Sequence, residues 1–185
     1  MSVIDDIVID DIVVADIVVD DVVVVGLGNP DRGDDAVGRL LAARLVACGL
    51  AGVRVETRAL DAAEILEAWS GVDKAILLDC VRSGSPVGTV HCIDPFDGSV
   101  DGVILESSTH ALGARTAVEL GRAIGELPTR LALVGIEGAC FVLGTPPSAE
   151  VRDAIPEALR VLRDLITRWR RGAPSLTSGG DRDHA

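Results

Sequence analysis

Aromatic residues are scarce in this sequence: two Trp, two Phe and no Tyr in 185 residues. Val, Leu, Ile and Ala must therefore build the core, and modules that stack nucleic-acid bases on aromatic platforms are argued against. Basic residues are also outnumbered. The 17 Lys and Arg face 29 Asp and Glu, a formal charge of −12, which opposes binding to a phosphate backbone. No nucleic-acid partner is expected. The four cysteines, Cys48, Cys80, Cys92 and Cys140, contain no C-x-x-C pair, so ordinary buried thiols in a reduced, cytoplasmic protein are the natural reading. A Gly-x-Ser-x-Gly elbow is missing, which argues against a serine hydrolase. Asp interrupts every apolar run near the N-terminus, so neither a signal peptide nor a membrane span is expected.

What is present is a chain with 48% hydrophobic residues, enough for one domain with a sizeable core. Seven acids lie in the first 21 residues without a base, leaving 22 acids against 17 bases, net −5, for the rest. Residues 4–25 carry a crude five-residue repeat of acids and β-branched residues. A period of five fits neither strand nor helix. Residues 1–20 therefore read as a low-complexity extension, 21–171 as a single domain and 172–185 as a polar tail.

Within the domain, strand and helix patterns alternate. Strands are expected at Val22–Val25, Val53–Ala59, Lys74–Cys80, Gly88–Ile93 and Arg130–Ile136. The first helix should start at an Asp34 cap and bury Val37, Leu40, Leu41, Leu45 and Cys48. A capping box at Asp61–Glu64 opens a short helix to Trp69, His110–Ile124 reads as a third helix, and Ser148 can cap a last one to Arg170, bent at Pro156. The order implies an α/β fold: a three-layer α/β/α sandwich around a mostly parallel, twisted five-stranded sheet. Ligands in such sheets sit beyond the carboxyl ends of the strands, which directs attention to 26–38, 79–84, 94–110 and 137–145. The stretch Asp94–Thr109 is an unusually long loop, a feature often tied to function.

The first of these segments, Gly26-Leu27-Gly28-Asn29-Pro30-Asp31-Arg32-Gly33-Asp34-Asp35, fails as a dinucleotide loop. Its third glycine comes five positions on, not three, and two acids stand where a pyrophosphate needs bare N–H groups. No nucleotide cofactor is expected. With Asp34 assigned to the helix cap, Asp35 is spare and can point outward. Asp79 ends an apolar strand, where a carboxylate costs desolvation unless paired or metal-bound. His184 lies in the tail, and His91 is most simply structural. That leaves His110 as the one histidine expected on the face shared by Asp35 and Asp79. Two carboxylates and one imidazole suit a divalent transition metal such as Ni or Zn, with open positions for a substrate group. Cys80, next to Asp79, reads as a small apolar core residue.

The combination of Gly26-Leu27-Gly28-Asn29 and Asp34-Asp35-x-x-Gly38, Leu77-Leu78-Asp79, Thr109-His110-x-Leu112-Gly113, Leu133-Val134-Gly135-Ile136-Glu137 and Leu143-Gly144-Thr145-Pro146-Pro147-Ser148 is similar to the maturation endopeptidases of nickel–iron hydrogenases. The resemblance spans about residues 22–170. It implies a twisted five-stranded sheet between helices, and removal of the C-terminal peptide from a NiFe-hydrogenase large-subunit precursor after nickel insertion. It also implies that Asp35, Asp79 and His110 are the catalytic and metal-reading set, with the nickel borne by the substrate. Some members carry Glu at the first position; Asp35 is one methylene shorter. The extension 1–20 departs from the family pattern. Two other readings stand beside this one. The same residues could sense nickel occupancy without cutting. Gly26-Leu27-Gly28-Asn29-Pro30 also resembles the opening of peptidyl-tRNA hydrolases, but the basic, histidine-bearing segment that follows there is replaced here by acids.

Overall fold

A computed structural model describes residues 21–58, 61–94 and 109–172, excluding the side chains of 109–112. The extension 1–20, the stretch 95–108 of the expected long loop and the tail from 173 onward lie outside the described residues. Five strands form one sheet: β1 (Val22–Gly26), β2 (Val53–Thr57), β3 (Lys74–Val81), β4 (Val90–Ile93) and β5 (Arg130–Glu137). Their order is β2-β1-β3-β5-β4. The three pairings among β2, β1, β3 and β5 are parallel, and β4 joins the edge of β5 antiparallel. The expected mostly parallel five-stranded sheet is therefore present. β2 is shorter than expected, ending at Thr57, while β3 and β5 each run one residue further than expected.

Among the described residues four helices cover the sheet: α1 (Val37–Ala47), α2 (Ala62–Trp69), α3 (Thr109–Ile124) and α4 (Ala149–Arg170). α1 and α4 lie on one face, burying Leu41, Leu45, Leu162 and Ile166 against Ile76, Leu78 and Val134. On the other face α2 and α3 bury Ile65, Trp69, Ala114 and Ala117 against Val25, Leu77 and Leu133. β1 and β3 are clad on both sides, which is why Val22–Val25 and Ala75–Leu78 are uninterrupted apolar runs. Each such side chain removed from water stabilises the fold by about 1.5–3 kcal/mol.

Helix α1 departs from its expected apolar stripe. Leu40 is 37% exposed and Cys48 is exposed, while Gly38 and Ala42 are buried. The cause is close approach to the sheet: a Cβ on Gly38 would come within 2.3 Å of the Leu78 carbonyl oxygen. Small residues set the contact, so the large ones flanking it are turned aside. Helix α2 begins as expected, with the Asp61 carboxylate accepting the Ala63 N–H at 2.8 Å. Helix α4 runs through Pro156 as one 22-residue element. Pro156 lies on the exposed side, where water can take the carbonyl that loses its N–H partner.

Candidate functional site at the carboxyl ends of the strands

The chain leaves β1 through a turn that only glycine permits. Gly28 has φ +107°, and a Cβ there would sit 1.9 Å from the Asp35 carbonyl oxygen. Asn29 then donates its N–H to Asp35 Oδ2 at 3.0 Å, and its own Oδ1 accepts the Asp31 N–H at 2.9 Å. A 3-10 turn, Gly33–Ala36, follows and carries both acids.

Asp34 does not cap α1. Neither the 3-10 turn nor α1 has a side-chain cap bond. Instead its Oδ2 accepts the N–H groups of Ala139 (2.9 Å) and Cys140 (2.8 Å), and its Oδ1 accepts that of Ser148 (2.6 Å). The carboxylate therefore clamps the loop after β5 and the start of α4, and the expected Ser148 side-chain cap of α4 is not formed. Burial acts to raise the Asp34 pKa, but the N–H bonds from Cys140, Ser148 and Ala139 outweigh it and hold the carboxyl below its ordinary value. Asp35, expected to point outward, is fully buried. The turn folds it inward because its carboxylate serves the Asn29 backbone.

Asp79 lies near the end of β3, 4% exposed, with Oδ1 accepting the Cys80 N–H at 2.8 Å. It alternates with Leu77 and Val81, so it belongs to the sheet face covered by α2 and α3. Cys80 faces the other way, into the α1/α4 core. Burial, reinforced by the charges of Asp79, Asp34, Asp35 and Glu137, pushes its thiol far up. That residue is thus a neutral packing group, as the sequence suggested, and the four carboxylates it feels gather at one end of the sheet.

His110 occupies the second position of α3; its side chain lies outside the described part of the molecule. Among the described residues no group of three or more His, Cys, Asp and Glu side chains is arranged to hold a metal ion.

His91 was read as structural and off this face; the register corrects the second point. Gly135 on β5 pairs with Asp79 on one side and His91 on the other, so His91 shares the Asp79 face. Its Nε2 lies 3.1 Å from Glu137 Oε2. Glu137, 3% exposed, also accepts the N–H groups of Ser83 and Gly84 and the Ser83 hydroxyl at 2.8–2.9 Å. Sequence reasoning left Glu137 out of the site. The signal was available: like Asp79, it is an acid closing an apolar strand.

The sequence profile of the hydrogenase maturation proteases of the HycI type matches residues 57–164. No curated protein sequence matches the chain. Among solved structures, the chain is similar to the hydrogenase maturating endopeptidase HybD from Escherichia coli, with 24% identity over 82% of this chain and 93% of that one, TM-score 0.69. It is also similar to the [NiFe] hydrogenase maturation protease HybD from Thermococcus kodakarensis, with 22% identity over 78% and 97%, TM-score 0.65. A hydrogenase 2 maturation peptidase from a Thaumarchaeota archaeon shares 25% identity over 78% and 97%, TM-score 0.56.

Proposed function

The chain belongs to the hydrogenase maturation protease family, and from that premise we propose that it removes the C-terminal peptide of a NiFe-hydrogenase large-subunit precursor once nickel has been inserted, with Asp35, Asp79 and His110 engaging the nickel carried by that substrate. The observation that carries this reading is a pair of buried carboxylates beyond neighbouring parallel strands: Asp79 near the end of β3, and Asp35 in the 3-10 turn that follows β1. Each is held by a backbone donor, Asp35 by the Asn29 N–H and Asp79 by the Cys80 N–H, so each carboxylate has a fixed position. His110 stands four residues before Ala114 and seven before Ala117, both buried against the Asp79 face.

Two carboxylate oxygens and a neutral imidazole are a fitting donor set for a divalent ion of intermediate softness. The nickel, part of the substrate, would supply Lewis-acid character at the scissile carbonyl. The chain's own residues do the positioning. Gly28 and Asn29 fix Asp35, the β3 ladder fixes Asp79, and Asp34 ties the loop after β5 to the turn that carries Asp35. Cys80 stays a neutral thiol and takes no part as nucleophile. All four cysteines are free, which suits a reducing compartment and supports a cytoplasmic site of action. Among the described residues no helix is long and apolar enough to cross a membrane.

The test is processing of purified precursor, nickel-loaded and nickel-free, read by mass at the C-terminus. The wild-type chain is expected to shorten only the nickel-loaded form, and Asp35→Asn, Asp79→Asn and His110→Ala to leave it full length while remaining folded. Normal processing by all three variants overturns the role assigned to these residues.

A further inference from the structure

The sheet has one edge that the described residues leave bare. β2 pairs with β1 on one side, and among the described residues no strand pairs with its other side. An edge of this kind is a template for another strand. Beside it lies an open apolar groove of about 160 Å³, lined by Leu45, Val46, Gly49, Leu50, Val53 and Val55. Val46 is 60% exposed. Val53 and Val55 are only half-buried, whereas Val22 and Val24, their register partners on β1, are fully buried. The same residue type in the same layer is covered on one strand and uncovered on the next.

The chain that leads into β1 meets this edge at its foot. Asp21 donates its N–H to the carbonyl of Gly52, the residue before β2, at 3.1 Å. The Asp21 carboxylate is held by Lys74 (3.2 Å) and Arg170 (3.1 Å), and Arg170 also donates to the Ala51 carbonyl. The foot of β2 is thus positively charged, and Asp16 and Asp20 lie within five residues of Asp21. The twenty residues before Asp21 contain three β-branched triplets, 7–9, 12–14 and 17–19, separated by acids, and no Lys or Arg. Fully extended they reach about 66 Å, while the five residues of β2 span about 17 Å. One five-residue unit therefore matches β2 in length. In a strand the first and third residues of a triplet face the same side, so Ile12 and Val14 can lie over the groove together.

We propose that residues 1–20 fold back past the foot of β2, and that the unit 10–14 adds to its bare edge as an antiparallel strand, with Ile12 and Val14 closing the groove. The direction follows from the connection: the extension runs towards the foot, and β2 runs away from it. Residues 15–20 make the crossing. They must pass two inter-strand spacings, about 10 Å, which is well within their reach. Being tethered, the segment has an effective concentration of roughly millimolar order, so it outcompetes a second copy of the chain. The extension thereby guards the edge against pairing with other molecules.

Hydrogen exchange of the full chain, read by peptide mass, tests this. In wild type, residues 10–14 and the outward amides of β2 should be protected. Ile12→Ser/Val14→Ser should speed β2 exchange about threefold to tenfold. Val46→Asp, at an exposed position on the groove, should strip the protection of residues 10–14. Leu143→Asp replaces an apolar residue that is 72% exposed beyond the carboxyl ends of the strands; it serves as the control and should change neither region. Wild-type residues 10–14 exchanging at the rate of an unstructured peptide overturn the proposal. So does β2 exchange left unchanged by Ile12→Ser/Val14→Ser, or a loosening that Leu143→Asp reproduces. Sedimentation velocity over a range of concentrations separates the rival occupant. Protection that holds in a monomer at every concentration supports the tethered strand, whereas protection lost on dilution as a dimer dissociates would assign the edge to a second copy and overturn it.

Discussion

Asp79 and His91 flank Gly135, which pairs with Asp79 through the parallel ladder and with His91 through the antiparallel one. The central residue of this row has no side chain, and the space one would take is filled by Val81: a Cβ on Gly135 would lie 2.3 Å from Val81 Cγ2. Valine is stiff at χ1, so it cannot simply swing away. Gly135→Ala is expected to lower unfolding stability by about 1–3 kcal/mol, with part of the loss recovered in Gly135→Ala/Val81→Ala. Denaturant midpoints of the single and double variants check this, and a double variant no better than the single one would refute it.

The His91–Glu137 contact ties an edge strand to the loop after β3. Glu137 satisfies two backbone N–H groups, a hydroxyl and an imidazole nitrogen. Removing it leaves half-buried donors unpaired, so Glu137→Ala should cost about 1–3 kcal/mol, more than His91→Ala. A double-mutant cycle on the pair should give a coupling of about 0.5–3 kcal/mol; additive losses would mean the two do not interact.

Asp34 supplies an acid-sensitive contribution. Its folded pKa lies below the unfolded one, so the stabilisation is present above the ordinary carboxylate range. It is lost as pH falls through the depressed folded value, in a window below about pH 4. Asp34→Asn should destabilise by about 2–4 kcal/mol at neutral pH through mismatched donors and flatten the acid decline in that window. Urea unfolding between neutral and strongly acidic pH would show it; an unchanged acid slope would assign that decline to other groups.

The thiols should divide sharply in reactivity. Cys48 is exposed, whereas Cys80 is buried with its thiol pushed far up, and burial takes Cys92 to about 11. Iodoacetamide at mildly alkaline pH should label Cys48 in the native protein and reach Cys80 only on unfolding. Peptide mass mapping reads the order, and native labelling of Cys80 at the Cys48 rate would contradict its placement.

Strand order of type and the layered architecture were legible because β1 and β3 are unbroken apolar runs and helices separate the parallel strands. The acids were legible less completely. Asp79 announced itself as a charge closing an apolar strand, and Glu137 carried the same signal but fell in a segment read as loop. Asp34 was misassigned because a helix-start acid has a local partner by default. Its actual partners, Ala139, Cys140 and Ser148, are more than a hundred residues away, and no local rule points to them. His91 was placed off the site because strand register across Gly135 depends on β4 running antiparallel, which its four residues do not declare.

The Asp34 carboxylate has a mechanical consequence. It belongs to the same short turn as Asp35 yet is bonded to Ala139, Cys140 and Ser148 across the loop that follows β5. A change that loosens that loop is therefore felt at the seat of Asp35.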